Sequence, residues 1–263
     1  MEYKISLPLK PKVIKKDDNH AIFEIDNCYP GYGITIGNAF RRVLLSSLSG
    51  AAITAVKIKG VSHEFSTMPN VLEDVIQIIL NLKQIRFKLN ADINEMKVEL
   101  KINGEKEVKA KDIKVTSEIE VINKDAHIAT LTSPKAKLEM EIEIGTGLGY
   151  VPVEQRRKEK LEIGAIALDA MYTPIKKVNY EVENMRVGDK TDFNRVKIDI
   201  ETDGSIEPEK AFDRAANILL EQFGVFATEN IAGIENAGVN SSKAGQSGSG
   251  KIKKAKITKK TKK

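Results

Sequence analysis

The stretch at residues 31 to 50, GYGITIGNAFRRVLLSSLSG, carries more apolar surface than one supporting sheet can cover. Wound at the ideal pitch, residues 35 to 49 place Thr35, Asn38, Arg42, Ser46 and Ser49 on one narrow polar stripe. Ile36, Ala39, Phe40, Val43, Leu44, Leu45 and Leu48 cover well over half of the circumference, which implies a second apolar partner. Arg41 falls inside the apolar arc, between Leu45 and Leu48, where an unpaired guanidinium is costly, whereas Arg42 lies in the stripe, open to another surface. The alternative is a core helix with two snorkelling arginines.

The glycines ahead of this helix raise the question of a phosphate cradle. A dinucleotide fingerprint needs G-x-G-x-x-G, so that helix N-terminal amides meet the pyrophosphate. Gly31 and Gly33 fit, but the third position is Ile36, and Gly37 comes one residue late. A Walker loop would need Lys and then Ser or Thr after Gly37, where the chain has Asn38 and Ala39. A nucleotide-binding enzyme therefore stands only as a minor alternative.

A second helix of the same kind is expected over 205 to 226, SIEPEKAFDRAANILLEQFGVF, with Pro208 in its first turn and Ser205, Glu207 and Glu209 nearby. Phe212, Ala215, Ile218, Leu219, Phe223 and Phe226 recur at threes and fours, and Ala211 and Ala216 add small surfaces for close approach. Two helices so oversupplied with apolar side chains suggest self-association, with Ile36, Phe40, Val43, Leu44, Leu48, Phe212, Ala215, Leu219 and Phe223 at the contact. An intramolecular bundle of the same helices is the competing arrangement.

Between the two helices the pattern is that of strands. Residues 51 to 60 alternate imperfectly, as a partly exposed strand would, and a helix follows at 70 to 82. Residues 96 to 102, 126 to 131 and 137 to 145 alternate apolar and charged side chains, the mark of an antiparallel sheet wet on one face. Residues 179 to 187 and 195 to 204 read as a hairpin-like pair turned by 188 to 194, GDKTDFN. The expected class is α+β, with a discontinuous dimerisation domain (1–50 and 174–230), an inserted strand-rich domain (51–173) and a disordered basic tail (231–263).

Charge is divided unevenly. Residues 241 to 263 hold nine lysines and no acid, so of the 42 basic residues 33 remain in the body, against 37 acidic ones. Glycine, serine and lysine without apolar periodicity cannot offset the entropy of ordering. Lys251, Lys253, Lys254, Lys256, Lys259 and Lys260 could hold nucleic acid through salt-sensitive phosphate contacts, or form a solvated extension. Cys28 is the only cysteine, which excludes an internal disulfide and a cysteine-rich zinc site. With no apolar run of membrane-spanning length and no signal-peptide pattern after Met1, a cytoplasmic location without membrane association is expected.

Catalytic chemistry finds little to work with. Acidic residues are scattered, and Glu73 and Asp74 read as the exposed side of an otherwise apolar helix. His20, His63 and His127 form no metal-spaced pair, and no serine occupies a nucleophile elbow; GTGLGYVP, 145 to 152, reads as a turn. No cofactor or metal is expected.

Four segments in order carry a resemblance: GYGITIGNAFRRVLLSSLSG, VSHEFSTMPNVLEDVIQIILNLK, GLGYVP and DGSIEPEKAFDRAANILLEQF. Over roughly residues 1 to 230 the chain resembles the N-terminal part of the alpha subunits of bacterial DNA-directed RNA polymerase. The resemblance implies a non-catalytic homodimer on which the beta and beta-prime subunits assemble, its first and last helices forming the dimer contact. It implies a beta-facing surface of Arg42, Leu45, His63, Glu64, Ser66, Thr67, Glu73, Asp74 and Lys83. It implies a beta-prime-facing surface of Asp169, Tyr172, Pro174, Lys176, Asp192, Arg195 and Lys197. The family's small DNA-touching C-terminal domain has no expected counterpart in the lysine-rich segment, so DNA contact is expected through the assembled complex, with the tail as a second candidate.

Overall fold

The computed structural model describes residues 5–89, 94–156, 162 and 164–227. In chain order the first elements are β1 (Lys12–Asp17), β2 (His20–Cys28), α1 (Tyr32–Ser46), β3 (Ser49–Ile58), α2 (Val75–Leu82), β4 (Phe87–Leu89), β5 (Glu95–Asn103) and β6 (Lys106–Lys109). There follow β7 (Ile119–Val121), β8 (His127–Leu131), β9 (Lys137–Leu148), β10 (Tyr150–Val151), the single turn α3 (Val153–Arg156), β11 (Ala165–Ala167) and β12 (Ala170–Met171). The long hairpin β13 (Ile175–Val187) and β14 (Lys190–Thr202) leads into α4 (Pro208–Ala227). The architecture is α+β.

Two large apolar cores form among the described residues, together with a small cluster of Ala52, Ala170 and Tyr172. In the first, an antiparallel sheet of order β1-β2-β14-β13 joins the two ends of the chain. Its inner face presents Ala21, Phe23 and Ile25 of β2, Val196, Ile198 and Ile200 of β14, and Val178 of β13 to α1 and α4. Phe212 of α4 stacks on Phe23 at 4.5 Å and on Phe40 of α1 at 4.6 Å, so one three-ring column ties the sheet and both helices together. Ala211 and Ala215, fully buried, bring α4 close to the sheet.

Glycine performs the same service for α1. A Cβ on Gly33 would lie 2.8 Å from both Asn194 Cβ and Val182 Cγ1, and one on Gly37 would strike the ring of Tyr180. The two glycines, one turn apart, form the flat strip that rests on β13 and β14.

The second core lies under a six-stranded sheet, β5-β9-β3-β4-β7 with β11 also on β3. Leu138, Met140, Ile142 and Ile144 of β9 point inward while Glu139, Glu141 and Glu143 alternate outward. Val75, Ile78, Ile79 and Leu82 of α2 pack against this core together with Val108, Ile128 and Leu131.

Several expectations need correction. The helix expected over 35–49 runs from Tyr32 to Ser46, and Ser49 leaves the polar stripe to begin β3. Arg41 is exposed rather than set in a dry arc, because the inner face of α1 is narrower than the wheel suggests. β3 is mostly buried, not partly exposed, since it pairs with β9 along one edge and with β4 and β11 along the other. Helix α2 begins at Val75, where Asp74 caps it by accepting from Gln77 N–H at 2.7 Å, rather than at 70. The β13–β14 turn is only Gly188–Asp189, with Gly188 at φ 61°, so residues 190 to 194 belong to the strand. The N-terminal hairpin β1–β2 was not foreseen: Ile22 on the outer face of β2 spoils its alternation.

Candidate protein-protein interfaces

The opening glycines are not a cradle. Asn194 of β14 reaches the N-terminus of α1, where its Oδ1 accepts from Gly31 N–H at 2.9 Å and from Gly33 N–H at 3.4 Å. The amides a phosphate would need are already bonded within the chain.

Surface patches, by contrast, are well developed. Among the residues expected at a dimer contact, Leu44, Leu48, Phe212 and Ala215 are buried in the chain's own first core, which corrects their placement at an intermolecular surface. Ile36, Phe40 and Val43 are half-buried against that core, and Leu219 is half-buried on α4. Phe223 is 62% exposed. Leu220 and Phe226 beside it are 70% and 74% exposed, so the last turns of α4 run past the sheet with apolar side chains in the open. On α1, Ile34 and Leu45 are exposed apolar residues on the outer side.

Of the residues expected to face beta, Arg42 and Leu45 are exposed on α1. Another patch surrounds α2: His63, Glu64 and Thr67 are exposed in the loop before it, while Ser66 is half-buried with its hydroxyl 3.2 Å from His63 Nδ1. The strongest apolar members fall within the 63 to 74 stretch expected on this surface and, beyond that expectation, on α2. Phe65 and Leu72 are 76% and 71% exposed, and Ile76 and Leu80 lie one turn apart on the outer side of α2. The spacing of Ile76 and Leu80 against buried Val75, Ile78, Ile79 and Leu82 was the available signal: α2 is apolar except for the Gln77–Asn81 stripe.

Of the two carboxylates expected on the exposed side, Asp74 is exposed and Glu73 is turned inward. Asp74 caps α2, and Glu73 folds back on β8, where Oε2 accepts from Thr130 N–H at 2.6 Å and Oε1 from the Thr130 hydroxyl at 3.0 Å. His127 Nε2 lies 2.8 Å from Glu73 Oε1. Burial pushes the Glu73 carboxyl up, but the Thr130 and His127 bonds outweigh it and hold it below the usual glutamate range.

The third group divides. Asp169 accepts from Val153 N–H at 3.0 Å and pairs with Lys83 at 3.4 Å, so two residues expected on different partner surfaces sit side by side. Tyr172 and Pro174 are buried, a second correction: the Tyr172 ring lies over Gly147, whose Cβ would be 2.5 Å from Tyr172 Cε2. Lys176 and Asp192 are exposed. Arg195 and Lys197 stand on the outer face of the first sheet in a ladder of alternating charge, with Arg195 Nε 2.7 Å from Asp26 Oδ1 and 3.6 Å from Glu24 Oε2, and Lys197 Nζ 2.7 Å from Glu183 Oε1.

Among the described residues no group of three His, Cys, Asp or Glu side chains is placed to hold a metal ion, and no helix is long and apolar enough to cross a membrane. Lys251, Lys253, Lys254, Lys256, Lys259 and Lys260 lie outside the described residues.

The chain is similar in sequence to known proteins. The family described as RNA polymerase Rpb3/RpoA insert domain matches residues 56–173, the stretch that holds the second core. The DNA-directed RNA polymerase subunit alpha of Cytophaga hutchinsonii is 46% identical over 225 residues, covering 86% of this chain and 68% of that protein. The chain belongs to the family of DNA-directed RNA polymerase alpha subunits. The alpha subunit of Porphyromonas gingivalis is 49% identical over 223 residues (84% of this chain, 67% of that protein), and that of Prosthecochloris aestuarii 47% over 229 (86% and 70%). As an alpha subunit the chain is a non-catalytic part of a multi-subunit nucleotidyltransferase acting in transcription.

Proposed function

We propose that the chain pairs with a second copy through α1 and α4, and that the dimer is the platform on which the beta and beta-prime subunits of the polymerase assemble. The observation that carries this reading is the bare apolar end of α4, where Leu220, Phe223 and Phe226 stay largely in solvent in the single chain. Surface of that kind, with exposed Ile34 on α1, suits a partner helix pair; an ordinary specific dimer buries about 800 Å² per partner.

In this reading residues 1–50 and 174–230 form the dimerisation domain and 51–173 an insertion within it. The beta-facing surface is built from Arg42, Leu45, the loop at 63 to 67, Leu72, Asp74, Ile76, Leu80 and Lys83, with Glu73 supporting it from behind. The beta-prime-facing surface is the charged ladder around Arg195 and Lys197 with Lys176 and Asp192. DNA is reached through the assembled enzyme, in the cytoplasm. Light scattering on the chain alone and with a beta subunit added tests the order of events: a dimer first, then a complex of one dimer and one beta chain. Capture of beta by monomers would contradict the reading.

A further inference from the structure

The two large cores do not meet flush. Where the turn before α4 rests on the second core, Gly204 stands at φ 94° and so close that a Cβ would lie 2.9 Å from Ile122 Cγ2, and Asp203 pairs with Arg86 at 3.9 Å. Beside this seam a cleft of about 540 Å³ stays open, a size usual for small-molecule sites, which favour junctions between folded units. Ala51 of β3, Phe87 and Leu89 of β4 and Ile206 give it an apolar wall. Lys88 of β4 and Lys210 and Arg214 of α4 give it three cations.

These cations are unevenly engaged. Lys210 Nζ is 3.0 Å from Glu207 Oε1, and among the described residues Glu207 is the one carboxylate lining the cleft. Lys88 and Arg214, both exposed, form no ion pair with a described carboxylate. Glu120, across from Lys88 on β7, is taken up by Lys124 at 3.6 Å. Positive charge is thus left over on both sides of the seam, next to apolar side chains.

We propose that this cleft binds a small phosphorylated ligand with a ring, a nucleotide by class, its ring along the apolar wall and its phosphates between Lys88 on one side and Lys210 and Arg214 on the other. A guanidinium takes phosphate oxygens two at a time, and an ammonium adds a point charge. Phosphates placed there draw Lys210 away from Glu207, whose carboxylate opposes them. Held from both sides, the ligand ties the two cores together. The cleft lies at the start of α4, away from the apolar turns at its end, and the proposal does not rest on the assembly-platform reading.

The experiment is isothermal titration calorimetry of the full chain with ADP. One ADP per chain is expected in the cleft. Lys88→Gln combined with Arg214→Gln, both at exposed positions, should weaken binding by about tenfold or more, the strength of one charge-assisted hydrogen bond. Glu207→Gln should tighten it by about two- to fivefold, the size of a surface ion-pair effect. Adenosine and inorganic pyrophosphate, each carrying one half of the ligand, should both bind more weakly than ADP. Absence of heat with ADP at millimolar concentration, or weaker binding by Glu207→Gln, overturns the proposal. So does an affinity unchanged in the double variant, because that heat arises elsewhere, the lysine-rich segment included. Pyrophosphate that binds as tightly as ADP overturns the nucleotide assignment.

Discussion

Asn194 Oδ1 closes the N-terminus of α1 from β14, accepting from Gly31 N–H at 2.9 Å across 163 positions of sequence. Its Nδ2 donates to Asn184 Oδ1 at 3.3 Å, so the same side chain is anchored to the neighbouring strand. Removing Asn194 takes the acceptor from both helix-end amides and leaves that of buried Gly33 away from water. Asn194→Ala should cost about 1–3 kcal/mol in urea unfolding. An unchanged midpoint would show that the cap contributes nothing.

Gly33 and Gly37 set how near α1 lies to the sheet. Gly→Ala in an exposed helix is worth up to about 1 kcal/mol in favour of alanine, yet here the new methyl meets Val182 and Asn194 at 2.8 Å. Overpacking of this kind costs about 1–3 kcal/mol. Gly33→Ala should therefore destabilise on balance, and calorimetry should show a lower melting temperature; a rise would mean that α1 lifts freely from β13.

The Arg195 guanidinium, helped by Lys12 and opposed by burial, holds the Asp26 carboxyl below the usual carboxylate range. A folded value below the unfolded one of about 3.9 gives stability that is present in full above the unfolded value and lost as pH falls through the folded one. Arg195→Gln leaves Asp26, nearly buried, with Lys12 alone. Stability at neutral pH should drop by about 1–3 kcal/mol and acid unfolding should begin at a higher pH. Superimposable acid-unfolding curves would refute the pairing.

The outer side of α2 should be separable from the dimer contact. Leu80→Asp introduces charge on an exposed position of α2 and spares the core residues Ile78, Ile79 and Leu82. In a pull-down it should abolish capture of a beta subunit, and Arg42→Ala should weaken it, while both variants remain dimers by light scattering. Dissociation of the dimer by either change would show that the helix faces are wrongly assigned.

Much of this architecture is legible in the amino-acid sequence, and the failures have physical causes. The strands at β5 and β9 alternate cleanly because one face of each meets water, as Glu139, Glu141 and Glu143 show, whereas β8 buries Ile128 and Ala129 in succession. Both long helices show their apolar period and α4 its Pro208 start. Burial of β3 could not be read, since pairing along both of its edges is a tertiary fact. The wheel of α1 treated every apolar residue alike, and only the fold divides Leu44, sealed against the sheet, from Leu45, turned to solvent. Glu73 misled for the same reason: its partners Thr130 and His127 lie more than fifty positions away.

Sedimentation equilibrium of the wild-type chain and of Phe223→Asp, at micromolar concentration, bears most directly on the platform. Phe223 is exposed in the single chain, so a carboxylate there leaves the fold intact but places an unpaired charge in the proposed dry contact. Twice the single-chain mass for the wild type, and a folded particle of single-chain mass for Phe223→Asp, is the predicted outcome. A wild-type chain that stays monomeric, or a variant that pairs as tightly as the wild type, would contradict the account.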